Sequence, residues 1–152
     1  MGQNRSKRGQ RGYDAGKKVK GRKRHIAVDT LGLVWGISVH AAHISESRGA
    51  RLLLLRLFRY CHTLEKVLVD GGYFPVLFTW AFSLFRCPVE VVKRVGNGRG
   101  FQVLPKRWIV ERTFGWLNWQ RRLAKDYEHR IQSSKAWIKI AMIHLMLRKL
   151  EK

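Results

Sequence analysis

The chain has 152 residues, with 31 Lys and Arg against 10 Asp and Glu, a formal charge of +21. A hydrophobic share of 45% excludes a disordered basic tail and fits one domain with a core of its own. A globular chain this basic implies a polyanionic partner. The start of the sequence is basic without an apolar stretch of the secretory kind, and runs such as "IAMIHLML" are too short to span a bilayer, so no membrane partner is expected. Cys61 and Cys87 form no CxxC pair and have no zinc-like His spacing, so they read as reduced thiols of a cytoplasmic protein. Most of the six Trp are expected in the core, with some left to stack on bases.

The first 24 residues carry ten Lys or Arg and show neither helical nor strand periodicity, which predicts a flexible basic arm over 1–24. Such a cluster, with Lys17, Lys18, Lys20, Arg22, Lys23 and Arg24, suits sequence-poor, salt-sensitive phosphate binding; a solvated tail is the plainer alternative. "HIAVDT" and "LVWGISVHA" predict two strands of an antiparallel hairpin. "SESRGARLLLLRLFRYCHTL" predicts a helix capped by Ser45 or Ser47. "KVLVD" reads as a buried strand ending at Asp70, and "PVLFTWAFSLF" as a helix with Pro75 in its first turn. Pro88 opens the strand "VEVVKR", and "VGNGRGFQVLP" reads as a glycine-rich loop. "KRWIVERTFGWLNWQRRLA" is helical by pattern, with Val110, Phe114 and Leu117 on one face. "DYEHR" interrupts, and Ser133 or Ser134 is expected to cap a last helix that is apolar almost all round. This order predicts an α/β domain with a mixed sheet.

Two acids stand out. Asp70 closes a buried strand just before Gly71 and Gly72, where ligands of open α/β sheets gather; an Asp capping the turn is the plainer reading. Glu111 lies on the polar stripe Arg107, Glu111, Gly115, Asn118, Arg122, beside the apolar one. An Arg107–Glu111 ion pair is the simple account. The functional account makes Glu111 a metal ligand and Arg107 a phosphate contact. Carboxylates in a basic chain suit two-ion phosphoryl transfer on nucleic acid, with magnesium as the hard, oxygen-preferring ion.

At "RGYDAGKKVKGRKRHIAVDTLGL", "VDGGY" and "LPKRWIVERTFGWLNWQRRLAKDYE" the chain resembles insertion-sequence DDE transposases of the IS-four/IS-five superfamily, over nearly its whole length. The resemblance implies an RNase H-like fold and cut-and-paste transposition with Mg2+ or Mn2+. It makes Asp70 the second catalytic Asp and Glu111 the catalytic Glu, both of them metal ligands. Arg107 matches the Arg of the family's Tyr-Arg-Glu-Lys signature. Leu104 stands at the Tyr position and Asn118 at the basic one, with Arg121 and Arg122 as nearby substitutes. The family's first catalytic Asp lies on a strand before the "RGYDAGKK" segment, and neither Asp14 nor Asp29 matches it.

The expectation is therefore an RNase H-like mixed sheet flanked by helices and lacking its first strand. The basic arm would cover 1–24 and a catalytic domain, truncated at its N-terminus, 25–152. The chain would be a fragment or second reading frame, inactive alone and located at the bacterial nucleoid. Its expected partners are DNA ends and target, an upstream-frame product by fusion, and a second copy on DNA. Two other readings remain: a non-catalytic basic nucleic-acid-binding protein, and a stand-alone RNase H-like nuclease that would bring Asp29 close to Asp70. The six His show no ligand spacing and read as structural or surface groups.

Overall fold

The computed structural model describes residues 10–69, 75–92 and 106–151. The elements run β1 (Gly12–Asp14), β2 (Val19–Val28), β3 (Val34–Ala41), α1 (Glu46–Tyr60), β4 (Val67–Val69), α2 (Pro75–Phe85), β5 (Val89–Val91), α3 (Arg107–Asn118), α4 (Arg121–Ala124) and α5 (Ile131–Leu150). The architecture is α/β. Among the described residues the strands form two sheets: an antiparallel β1-β2-β3 sheet and a parallel β4-β5 pair. The expected mixed sheet thus contains both strand senses, but no ladder joins its halves there.

The basic segment before His25 is not an unstructured arm over its whole length. Residues 12–14 and 19–24 lie in paired strands. The physical reason is that alternate side chains of β2 serve two different layers. Arg22 and Arg24 bond to the segment around α4, and Ile26 packs on the cluster of Val39, Leu117, Leu123, Ile138, Ala141 and Met142. Lys23 and His25 approach Glu46 on α1, and Ala27 packs on Ala50, Leu54, Leu57, Leu77, Ala81 and Val89. Hydrophobic periodicity misses such a strand because cations hold half of its inward positions. Asp14 turns the β1–β2 connection: its Oδ1 accepts from the Gly16 and Lys17 amides, and Lys23 Nζ lies 2.7 Å from Oδ2. The Lys23 hydrogen bond, with the Lys17 amide, holds this carboxyl below the ordinary carboxylate range.

Ser45 caps α1, its hydroxyl accepting from the Arg48 amide at 3.4 Å. Pro75 opens α2, where its missing N–H removes no helical bond. The long helix expected from 106 to 124 is instead two, because Gln120 takes an extended conformation (φ −80°, ψ 115°) and its amide bonds back to Leu117 O. Neither Ser133 nor Ser134 caps α5. The helix begins one turn earlier, after Arg130, and Ser134 lies buried inside it. All six Trp are half-buried or exposed, from Trp80, Trp116 and Trp137 to the 90% exposed Trp119, so the expectation of core Trp is also corrected. Several carry cations instead: Arg112 lies between Trp108 and Trp116 at 4.4 and 4.6 Å, and Arg122 lies over Trp137 at 5.3 Å. Cys61 and Cys87 are both free, and burial pushes the Cys87 thiol up.

Beneath α1, His25 and His40 are buried and stacked, with ring centroids 4.8 Å apart. Gly49 makes room for them, since a Cβ there would collide with both Nε2 atoms. Burial, then the neighbouring His40, lowers the His25 pKa to about 4, although Glu46 lies 3.7 Å away. The folded state therefore holds His25 neutral, and the unfolded chain binds the proton first as pH falls through 6.5. Stability is expected to be flat above that pH and to fall by about 2 kcal/mol between pH 7 and 5. Urea midpoints across this range check it; a midpoint independent of pH would contradict a neutral His25.

Candidate catalytic site on helix α3

α3 is fixed to the β2–β3 turn by its own residues. Asp29 builds that turn: Oδ1 accepts from the Leu31 and Leu33 amides, both at 2.9 Å, and Oδ2 from Trp35 Nε1 at 3.1 Å. Gly32 sits in the turn at φ +85°, a conformation that disfavours any side chain. Thr113, fully buried on α3, donates its hydroxyl to Gly32 O at 2.9 Å, with Ile109 O also within 3.0 Å. Arg112 Nη2 donates to Leu31 O at 3.0 Å. Ile109, Thr113 and Leu117 form the buried face of α3. Val110 and Phe114, expected to share the apolar face with Leu117, flank it, because a threonine in the apolar pattern hides the true axis.

Glu111, beside Arg112 in sequence, is exposed on the helix thus fixed. Arg107 opens α3, and its side chain lies outside those described. Asp70 follows directly on Val69, the last residue of β4, but is itself outside the described residues, as is Leu104. The Asp70–Glu111 separation is therefore not given by the structure. Among the described residues no three His, Cys, Asp or Glu side chains converge as a metal site. The acids that are described show why. Asp14 and Asp29 are turn formers. Glu46 takes Lys17 at 2.7 Å, Glu90 takes Lys66 at 3.1 Å, and Glu128 lies 3.9 Å from Arg122. Asp126 takes Arg22 and the Ser134 hydroxyl.

The basic residues expected to face DNA divide into two groups. Lys17, Lys18 and Lys20 are exposed, as are Arg121 and Arg122 on the short α4. The other three turn inward. Arg22 is 1% exposed in its side chain and donates to Asp126, Glu128 O, His129 O and Ser134 Oγ. Lys23 pairs with Asp14, and Arg24 donates to Leu123 O. These three side chains are thus engaged inside the protein. The polar stripe of α3 stops at Asn118, so Arg122 does not continue it.

A model of the transposase DDE domain matches residues 2–146 of the chain. The protein belongs to the transposase DDE domain family. The curated proteins and the solved structures give no match to it. Membership makes DNA transposition the functional context of this α/β domain, with DNA as partner and divalent metal as the family's usual cofactor. No helix among the described residues is long and apolar enough to cross a membrane.

If α3 depends on the Gly32–Thr113 contact, changes there should destabilise this transposase domain without touching an acid. A Cβ at Gly32 would lie 2.9 Å from Thr113 Oγ1 and 3.1 Å from Trp116. Gly32→Ala is expected to cost about 1–3 kcal/mol, from the positive φ and the crowding. Thr113→Val, which leaves Gly32 O without its donor, should cost about 1–2 kcal/mol. Denaturant titration measures both, and unchanged midpoints would show that the turn does not hold α3.

Proposed function

We propose that Asp70 and Glu111 are two of the carboxylates of a metal-dependent phosphoryl-transfer site acting on transposon DNA ends, within an RNase H-like fold. The observation that carries this reading is the match of residues 2–146 to the transposase DDE domain, a family that generally uses divalent metal. Glu111 stands exposed on a helix held from behind by Thr113, and Asp70 follows the last residue of β4 in the sequence. Two carboxylates are hard donors that suit Mg2+ or Mn2+, and such ions, when bound, activate the attacking oxygen and stabilise the leaving one. Asp70 and Glu111 would hold the ions, and Arg107 would steady a phosphate at the same helix.

The α/β element order, with an antiparallel sheet followed by a parallel strand pair and helices, supports the RNase H-like reading, in which one further strand would join the two sheets. The third carboxylate of the site is proposed to come with that further strand, since Asp14 and Asp29 are held as turn formers. Arg121, Arg122, Lys17, Lys18 and Lys20 are proposed to bind the DNA backbone. The setting is the bacterial nucleoid, with two copies acting together on DNA.

The test is nicking of a duplex carrying the element's own ends, in magnesium. The 152-residue chain alone is expected to leave it intact. A fusion that supplies the missing strand in register should nick it, and Glu111→Gln in that fusion should lower the rate by at least about 100-fold, since even indirect supports of a metal site cost up to that much. Specific nicking by the short chain, abolished by Asp70→Ala, would place the third acid within it and overturn this assignment.

A further inference from the structure

Between β1–β2 and the segment that joins α4 to α5 lies a cleft of about 350 Å³, lined by Arg11, Lys20, Gly21, Arg22, Lys125, Asp126 and Tyr127. Four of these seven residues are cations and one is an acid. The acid does not neutralise the opening. Both Asp126 carboxylate oxygens are turned to Ser134 Oγ, at 2.7 and 2.8 Å, and to Arg22 Nη1 behind it. Its backbone carbonyl takes one N–H of Arg11 at 2.8 Å, which fixes that guanidinium while leaving other donors of its five. Arg22 is buried as the floor, whereas Lys20 and Lys125 are exposed at the rim beside the exposed Tyr127.

With Arg22 and Asp126 paired to each other, an anchored guanidinium, two ammonium groups and a phenol that can donate remain, and together they fit a tetrahedral dianion or a phosphodiester. We infer that this cleft is a phosphate seat, and that it takes a backbone phosphate of DNA. The inference rests on the DNA-binding reading for its ligand, and on the cleft alone for its place. Arg11, Lys125 and Tyr127 thereby join the DNA-contacting residues. Lys20 acts here with them, as one wall of a formed cleft.

Two arms test it, on the whole chain. In the first, inorganic phosphate is titrated into the 15N-labelled 17.8 kDa protein. The amides of Gly21, Lys125 and Tyr127 are expected to shift saturably, and Lys20→Ala/Lys125→Ala should abolish those shifts while the rest of the spectrum shows the fold intact. In the second, affinity for a DNA duplex is measured against salt. The same double variant should reduce the slope of log K on log[salt] by about two, close to one for each lost phosphate-contacting lysine. Lys139→Ala/Arg148→Ala, which removes the same charge from exposed positions of α5, should change the slope by less than half of that. Absence of saturable shifts, or equal slopes in the two double variants, would overturn the seat. Phosphate binding with an unchanged DNA slope would overturn its assignment to the DNA backbone, leaving only free phosphate. Loss of nicking in Glu111→Gln leaves all these readings as they are, so the catalytic proposal and this one fail separately.

Discussion

The buried guanidinium of Arg22 is the interaction on which the arrangement of layers depends. It projects from β2 into the segment 126–130 and the first turns of α5, and satisfies a carboxylate, two backbone carbonyls and a hydroxyl there. A charge this buried is tolerated only with such a full set of partners, and removing one partner of a buried pair costs on the order of 3–5 kcal/mol. Because Arg22 ties β2 to the start of α5, and α5 packs with α3 and α4 on β3, the helix that bears Glu111 is held by a basic strand. The same carboxylate that neutralises Arg22 is turned away from solvent, so the neighbouring surface stays positive.

The high positive charge is accommodated by three devices. Inward cations meet acids or carbonyls, as at Arg22, Lys23 and Arg24. Others lie on indole faces, as at Arg51, Arg112, Arg122 and Lys149. Among the described residues, others such as Lys18, Lys20, Arg121 and Lys139 are exposed and repel one another, and a polyanion relieves that repulsion. A transposase domain built this way gains from its substrate what it lacks in acids of its own.

Much of this was legible in the sequence. The hairpin, α1 with its Ser45 cap, β4, α2, β5 and the α3 region follow from apolar runs and capping residues. The family follows from three motif segments rather than from periodicity. Three features were hidden, each for a physical reason. β2 begins at Val19 because cations occupy inward positions where the pattern expects apolar residues. Ser134 looks like a cap, but its hydroxyl serves Asp126 from inside α5. Thr113 looks like surface, but it is the contact that seats α3 on the Gly32 turn. Glu111, proposed as a metal ligand, drew attention by its place on a polar helix stripe, and the structure places it exposed on α3. Arg22, Lys23 and Arg24 were misread because charge density alone does not say which way a cation faces.

The proposed sharing of one divalent ion by Asp70 and Glu111 can be tested directly. Fe2+ bound in place of Mg2+, with ascorbate and peroxide, generates hydroxyl radicals that cut the backbone next to the ion, and fragment masses locate the cuts. The account predicts cuts beside both residue 70 and residue 111, competed by Mg2+ and lost together in Glu111→Gln. Cuts confined to one of the two sites, or cuts near Asp14 and Glu46 that survive Glu111→Gln, would contradict it.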